Sequence, residues 1–572
     1  MADDASVGLR RAAGESRQRQ RHPAMSRRVY TVHVTVRSPF IFQGLDVAAH
    51  GFDASAHRDE LGRLIIPGDH LRGHLRHALA ALTGGVTSIE CTALFGTESP
   101  KGMNDAPARG GLLIGDLHDD GGPRQIAVYP RVALDDATGA AAEGAVQQIE
   151  LAAPIGEEVC FAGRLVLRPM QGLSASAAED LLRTALCMIP AMGAAKSAGF
   201  GEVVPDRCGL APLVDPPGRA FPVAAGRWQV TVRFDRPLLV NAERLDNNIF
   251  KGSTVVPGGA VKGTLAAAID DAGGAALLDD AFAALRISHA FPLADGTRAD
   301  RAIPDAMVAS HAVPVFDEGG DLLAQLSKHG APAFPGDWKD DVFDAARSQL
   351  GRPRFAERFL SRGRVAIDST GVASDGQLFV VMPIATAGTR WRFTLDSTGA
   401  PDALRAAIAA QFEAGLDGVG RTAARMVVVE EVIAAPPAPA IAADEVLLLL
   451  ETPAALTDPT DGSILFDQYR CYFRAVADAE LLECWARQRM AGHYLSVRHR
   501  AFGNQLYQPF ELTEAGAVFR LRLRDRERLR ALLVAGLRPL PFRTPAMTWR
   551  NCPFVAENGY GEISVLSGGA AA

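Results

Sequence analysis

The chain has few cysteines for its length, and it has no long apolar run. Seven cysteines occur among 572 residues, widely spaced and never as CxxC. An odd number at such spacing indicates neither a zinc ribbon nor a disulfide framework, so no zinc is expected and a reducing cytoplasm is the expected location. No apolar stretch approaches the roughly 20 residues that span a membrane, so no membrane partner is expected.

Aromatic residues are sparse and there is no excess of positive charge. Aromatics make up 7% of the chain and the net charge is -7. This composition argues against base stacking as the main binding mode and against nucleic acid coating the whole surface, but a local basic stripe remains compatible with it. Neither GxxxxGK[ST] nor a strand-linked GxGxxG occurs, which argues against a nucleotide-dependent metabolic enzyme.

One unusual motif occurs twice in the sequence. "IPGDHLRGHLRHAL" at 66–79 and "VPGGAVKGTLAAAI" at 256–269 share Pro-Gly, a basic residue and a second glycine at equal offsets. The apolar spacing predicts an amphipathic helix after each Pro-Gly. Free N–H groups at a helix start beside one cation are typical of a phosphate site. The alternative is structural: a Pro-Gly turn with a closely packed glycine.

Further repeats give the domain organisation. "VTVR" occurs at 34–37 and 230–233, and "RVALDDATGAAAEG" from Arg131 is matched by "RVAIDSTGVASDG" from Arg364. Strands that follow a glycine begin at Gly156, Gly388 and Gly516, and each unit closes on a glycine loop. The order of strand, helix, two strands, helix and strand predicts an α+β protein of tandem ferredoxin-like (RRM-like) units, two full and one partial.

Proline-rich segments divide these units. Stiff linker compositions at 210–226 and 434–444 predict unit 1 at 28–209, unit 2 at 227–433 and unit 3 at 445–566. Residues 1–27 are polar and rich in arginine, which predicts a flexible tail. The distance between equivalent repeats is larger in unit 2, so an insertion is expected near 297–358.

The combination of these motifs resembles the RAMP superfamily of CRISPR-associated proteins. The resemblance lies in "[IV]PG-x-x-[LV]-[RK]-G-x-L", then "R-V-A-[LI]-D…G", then a loop such as "K-S-A-G-F-G-E". It is greatest to the backbone subunits of type III effector complexes, which stack along a guide RNA and interrupt the guide–target duplex with a thumb-like hairpin. The resemblance implies a tandem fusion of two backbone subunits and a RAMP-like third unit. The implied partners are guide RNA (crRNA), target RNA and other type III effector subunits.

Basic residues and glycines in the repeated motifs are the expected RNA contacts, because phosphate recognition needs cations and free N–H groups. In unit 3, "FRLRLRDRERLR" predicts a strand with arginines on one face, either an RNA surface or a charged edge strand. The expected RNA-binding residues are Gly68, Arg72, Arg76, Arg131, Lys196, Gly199, Gly201, Gly258, Lys262, Arg364, Arg520, Arg522 and Arg524.

The resemblance also raises the possibility of target-RNA cleavage. Family members that cut use an acidic residue in the loop after the first strand, with a divalent metal. Asp46 matches this position in unit 1 and Asp246 matches it in unit 2, so both are candidate catalytic residues, with Asp46 as a candidate Mg²⁺ ligand. The alternative is a free-standing, metal-independent RNA-processing endoribonuclease with histidine as general base.

Overall fold

The protein forms three lobes, each around its own hydrophobic core. The computed structural model describes residues 27–566 except 45–51, 98–108, 120, 122–123, 125, 136, 217, 247, 306–346, 349, 368–372, 493–509 and 541–551. The cores are built by residues 30–210, 221–432 and 446–563, here named lobes 1, 2 and 3. Within the described ranges, no helix is both long and apolar enough to cross a membrane.

Lobe 1 packs three helices against an antiparallel sheet. The apolar face predicted for the first repeated segment is confirmed, because Leu71, Leu75 and Leu79 are all buried. The sheet order is β2-β3-β6-β1-β7, with β8 also paired to β1. The elements are β1 (Arg28–Arg37), β2 (Ile65–Ile66), α1 (Gly68–Thr83), α2 (Ile89–Phe95), β3 (Leu112–Asp119), β4 (Ala127–Leu134), β5 (Ala141–Leu151), β6 (Glu158–Leu167), α3 (Ala175–Cys187), β7 (Glu202–Val203) and β8 (Gly209–Pro212).

Lobe 2 repeats this plan. Val261, Leu265 and Ile269 are buried on the second repeated helix, and the sheet order is β14-β13-β17-β9-β19-β18. The elements are β9 (Arg227–Phe234), β10 (Glu243–Asp246), β11 (Ile249–Lys251), α4 (Gly258–Asp271), α5 (Asp280–Ala284), β12 (Arg286–Ile287), β13 (Phe291–Ala294), β14 (Thr297–Arg298), β15 (Arg362–Ile367), β16 (Ala373–Met382), β17 (Trp391–Asp396), α6 (Asp402–Ala414), β18 (Leu416–Val419), β19 (Ala424–Val428) and β20 (Ile433–Ala434).

Lobe 3, which the sequence indicates only as a partial unit, has a four-stranded sheet in the order β22-β25-β21-β26. Its two helices follow the first and third of these strands along the chain. The elements are β21 (Glu445–Leu450), α7 (Leu465–Ala477), β22 (Ala479–Trp485), β23 (Gln488–Ala491), β24 (Phe510–Thr513), β25 (Val518–Leu523), α8 (Arg526–Ala535) and β26 (Ile563–Leu566).

The three sheets share one strand order. Numbered along the chain, the main strands lie second–third–first–fourth in each lobe: β3-β6-β1-β7, β13-β17-β9-β19 and β22-β25-β21-β26. A two-stranded hairpin interrupts each lobe between its second and third main strands: β4–β5, β15–β16 and β23–β24. The chain is therefore a mixed α/β protein built on antiparallel sheets, and each lobe has a separate hairpin at the same point of the order.

Much of the predicted insertion lies outside the described residues. The described flank after β14 packs on lobe 3, where Arg352 and Arg301 ion-pair with Glu451. Lobes 1 and 2 are joined by a polar cluster in which Arg164 and Arg425 pair with Asp215 and Asp417. The contacts between lobes are therefore rich in charge.

Candidate RNA interface

The repeated Pro-Gly segments start helices that press against a neighbouring strand. Pro67 and Pro257 precede α1 and α4, and both glycines after them are buried. A side-chain carbon on Gly68 would lie 2.6 Å from the Gly115 carbonyl oxygen, and one on Gly258 would overlap the Ile287 carbonyl oxygen. These glycines are required because the helix start meets strand backbone.

The start of α1 already holds a carboxylate from the same chain. The Gly68 N–H donates to Asp116 Oδ1 at 2.9 Å, and Asp116 Oδ2 lies 2.6 Å from Arg362 of β15. Burial is the largest single influence on the pKa of Asp116 and raises it. Arg362 and the Gly68 N–H lower this pKa and together outweigh burial, so the net pKa lies below its usual range. This geometry argues against the predicted phosphate site at Gly68, because Asp116 accepts the N–H that a phosphate would use.

The repeated basic residue serves as a cap for the following helix. Arg72 donates to the carbonyl oxygens of Phe95 and Leu112 at 2.8 and 2.6 Å, at the end of α2 and the start of β3. Lys262 donates to those of Ala283 and Leu285, both at 2.7 Å, at the end of α5. A cation at this position satisfies terminal carbonyls and complements the helix dipole.

The same two cations also lie over aromatic rings and out of solvent. Arg72 is 5.2 Å from the ring centre of Phe95, and Lys262 is 5.7 Å from that of Phe282. Lys262 is only 5% exposed, and burial lowers its pKa to about 8. These hydrogen bonds argue against the predicted phosphate contacts of Arg72 and Lys262, because both cationic groups point into the protein. The structural alternative for the repeated segment is the one that this geometry supports.

Two other predicted cations lie at equivalent points of the hairpins. Arg131 is half-buried on β4, and Arg364 is half-buried on β15. Arg364 ion-pairs with Asp69 of α1 in lobe 1, and its predicted RNA contact stays a prediction. Among the residues that the structure describes, no ion pair to Arg131 is formed. Arg76 is half-buried on α1 and interacts with neighbouring groups.

The closing glycine loop of lobe 1 is exposed. Lys196 and Gly199 lie at the surface, whereas Gly201 is buried against Met192. Gly199 has a φ of 83°, a conformation that favours glycine. Their predicted RNA contacts stay predictions, and Gly258 does not share their setting because it is packed beneath lobe 3.

The arginine face of lobe 3 is confirmed as a pattern, but β25 is not an edge strand. It lies between β22 and β21. Arg520 pairs with Glu445 and Glu483, and Arg522 pairs with Glu445 and Glu480. Arg524 is exposed beyond the strand end. The glutamates neutralise the positive charge that phosphate attraction requires, which argues against this face as the main RNA surface.

Each of the first two hairpins displays an apolar pair to solvent. Val132 of β4 lies opposite Val146 of β5, with 48% and 60% of each residue exposed. Val365 of β15 lies opposite Leu378 of β16, with 42% and 59% exposed. Both pairs directly follow the repeated arginine, so the second repeat in the sequence marks this feature. Sequence reasoning named the arginines and missed the apolar pair beside them.

Of the two candidate catalytic acids, only Asp246 lies among the described residues. Asp46 lies outside the described residues. Asp246 ends β10 and is exposed. It shares one four-stranded sheet with the lobe 2 hairpin, in the order β10-β11-β16-β15, and β11 runs parallel to β16. No cluster of three metal-ligating side chains occurs in the described part of the chain.

The histidines of α1 are poor candidates for a general base. Burial lowers the pKa of His70 to about 4 and that of His74 to about 3. His70 Nε2 accepts a hydrogen bond from the Gly193 N–H at 3.1 Å. Both imidazoles are therefore neutral near pH 7 and far from the pKa that suits proton transfer there.

A comparison with known protein families gives a match within lobe 1. Residues 33–204 match the family model of the RAMP superfamily. No curated protein matches the chain significantly in sequence. Among solved structures, one similar chain belongs to the type III-B Cmr-beta complex bound to cognate target RNA and AMPPnP, with 10% identity over 54% of this chain and 87% of that one, and a TM-score of 0.30.

A second similar chain belongs to the type III-B Cmr-beta complex bound to cognate target RNA, with 15% identity and a TM-score of 0.24. It is matched over 61% of its own length and 33% of this chain. The family match runs from within β1 through the three helices and the hairpin to the glycine loop of lobe 1, so this lobe is similar to the RAMP superfamily.

Proposed function

We propose that this chain is a guide-RNA-binding backbone subunit of a type III CRISPR effector complex, built as three consecutive ferredoxin-like RAMP units. The observation that carries the proposal is the pair of equivalent hairpins, each with an exposed apolar pair: Val132 with Val146, and Val365 with Leu378.

An exposed cross-strand apolar pair favours a binding partner, because covering its apolar surface removes that surface from water. Apolar side chains inserted between base steps unstack them and interrupt a duplex. Two such wedges in one chain, each rooted in its own sheet, suit a guide–target duplex that is interrupted twice at a fixed spacing. The guide itself is proposed to bind through phosphate contacts, with Arg131 as one of the cations for this role.

We further propose that Asp246 takes part in target cleavage, and Asp46 at the corresponding position of lobe 1. Mg²⁺ is commonly held by one or two carboxylates together with phosphate oxygens and water, so an exposed carboxylate beside the hairpin suits it. The bound ion would neutralise charge on the scissile phosphate. Asp246 would keep the ion at the interrupted base step, because its strand belongs to the same sheet as the hairpin.

The test uses the complex purified with its partner subunits and a labelled target RNA. We expect a short RNA to co-purify, with binding that weakens as salt rises because phosphate contacts release counterions. The double variant Val132→Asp/Val365→Asp should retain guide RNA and lose defined target cleavage. Val86→Asp changes an equally exposed valine on a loop of lobe 1 and is the matched control.

Cleavage itself is tested with Asp46→Asn and Asp246→Asn, singly and together. Each should remove one cut while target binding is unchanged, and EDTA should abolish all cutting. Purification free of RNA, with the partner genes present, would contradict the scaffold proposal. Cleavage that survives excess EDTA would contradict the metal-dependent step and favour the RNA-processing alternative.

A further inference from the structure

Each lobe closes on a segment that has a glycine of positive φ, and lobes 1 and 3 share the same turn before it. In lobe 1 a 3-10 turn, Lys196–Ala198, ends at Gly199 with φ 83°, and in lobe 3 the turn Ala556–Asn558 ends at Gly559 with φ 87°. Lobe 2 has Gly418 with φ 94°. The sequences around them are Gly-Phe-Gly-Glu, Gly-Val-Gly-Arg and Gly-Tyr-Gly-Glu.

The loop of lobe 3 docks on the helix start of lobe 2. A side-chain carbon on Gly559 would lie 2.6 Å from the His289 nitrogen, and one on Gly258 would lie 2.7 Å from the Asn558 carbonyl oxygen. Around this contact Arg286 donates to the Ala556 carbonyl oxygen, and Arg298 lies 3.2 Å from Glu562. Backbone meets backbone here, which only glycine permits.

The loop of lobe 2 contacts lobe 1 in the same direction. Arg109 donates to the Gly418 carbonyl oxygen at 3.3 Å, and a side chain on Gly418 would meet that guanidinium. The hairpin beside this loop adds Arg364 to Asp69 and Arg362 to Asp116, both at the start of α1. Lobes 2 and 3 therefore each place their closing loop on the lobe that precedes them, and lobe 2 places its hairpin there as well.

Lobe 1 shows the same equipment without a neighbour. No described atom lies within 4 Å of the position of a side chain on Gly199, and Lys196, Ser197 and Ala198 are exposed. The Glu202 side chain, at the position of Glu562, is 56% exposed and pairs with Arg37 of the same lobe at 2.7 Å. We infer that this face, formed by residues 196–202 and the adjoining hairpin, binds a separate polypeptide that carries a Pro-Gly helix start.

A second copy of this chain does not fit as that polypeptide. Its α1 is covered by lobe 2 and its α4 by lobe 3. Its remaining helix of this type, α7, begins after Ile464 and has no Pro-Gly. The inference deepens the proposed function, on which it rests for the existence of partner subunits, by naming the face and the kind of neighbour.

The test starts from the complex purified from the native host. The chain has six lysines, so a cross-linker with an amine-reactive end and a diazirine end gives unambiguous products at Lys196. We expect Lys196 to cross-link to a different polypeptide, within a few residues of a Pro-Gly helix start. Products confined to this chain, to a second copy or to RNA would overturn the inference, as would a partner segment without such a start.

A variant pair gives an independent readout. Ala198→Trp places bulk at the position where Asn558 meets lobe 2, and should reduce the amount of that subunit in the purified complex at least tenfold. Ser176→Trp, on the exposed first turn of α3, should leave it unchanged. Equal retention in both variants would overturn the inference. RNA in the complex without a polypeptide at Lys196 leaves the proposed function standing, whereas a polypeptide without RNA overturns only that function.

Discussion

Arg72 and Lys262 differ in chemistry and perform the same task. Each reaches from the second turn of its helix to a carbonyl oxygen at the end of the next short helix and to a second carbonyl oxygen beside it. The shared requirement is a long donor with positive charge. This requirement explains why the repeat preserves a basic residue without preserving which one.

Removing the cap should therefore affect folding. We expect Arg72→Met and Lys262→Met each to lower the free energy of unfolding by about 1.5–3 kcal/mol, the scale of charge-assisted hydrogen bonds. Denaturant unfolding measures the loss. Arg522→Met is the control, because its ion pairs are exposed and should contribute less than about 1 kcal/mol. Intact stability together with weaker RNA binding would restore the phosphate-site reading.

The Lys262 cap also predicts a pH dependence. Burial lowers the pKa of Lys262 to about 8 from 10.5, so between these values the unfolded state holds a proton that the folded state has released. The unfolding free energy contributed at this site therefore rises with pH across that window. The difference between wild type and Lys262→Met should increase from pH 8 to 10.5 and be constant below pH 7. A flat difference throughout would contradict the lowered pKa.

At the scale of elements, a comparison of two glycine loops distinguishes the cost of backbone strain from the cost of a lost contact between lobes. Gly199 and Gly559 share a left-handed conformation, but only Gly559 meets a neighbouring lobe. Gly199→Ala should cost about 1–2 kcal/mol, the strain of that conformation. Gly559→Ala should cost more, because its added carbon would collide with the His289 nitrogen.

Thermal unfolding and limited proteolysis measure this comparison in the isolated chain. The expected result is earlier cleavage between lobes 2 and 3 in Gly559→Ala, with Gly199→Ala close to wild type in this respect. Equal losses in both variants would mean that the contact at Gly559 adds nothing to stability.

The order of elements could be predicted from sequence, because it depends on local periodicity and turn residues. The buried faces of α1 and α4 follow directly from the spacing of Leu71, Leu75 and Leu79 and its counterpart. Which donors face outward could not be predicted. Asp116 occupies the start of α1 through a contact 48 residues away, and Arg362 joins it from 246 residues away. Contacts over such separations leave no periodic trace in the sequence.

At the scale of the whole molecule, one buried carboxylate joins lobes 2 and 3. Glu451 is buried and pairs with Arg301 and Arg352, and Ser564 donates to it. Burial, the largest influence, raises the pKa of Glu451, but the two arginines lower it, and the net pKa is below its usual 4.5. Its contribution to stability is present above pH 4.5 and is lost as pH falls through the lower, folded-state pKa.

Glu451→Gln leaves buried Arg352 without a counter-charge. We expect a loss of about 3–5 kcal/mol, the usual effect of breaking a buried ion pair. Glu445→Gln, which removes a carboxylate from the partly exposed arginine ladder of lobe 3, should cost less than about 1 kcal/mol. Denaturation monitored by tryptophan fluorescence gives both values. A similar small loss in the two variants would contradict a stabilising role of Glu451 between lobes 2 and 3.

The charged contacts between lobes are sufficient because the lobes are covalently linked. Free subunits need large apolar contacts to offset the freedom that they lose on association, whereas lobes joined by linkers near 213–226 and 435–444 meet at an effective concentration in the millimolar range. Arginine–carboxylate clusters such as Arg164 with Asp215 are then sufficient to hold them in register. The order and number of the lobes in any assembly are thus set by translation of one message and not by an equilibrium among separate parts.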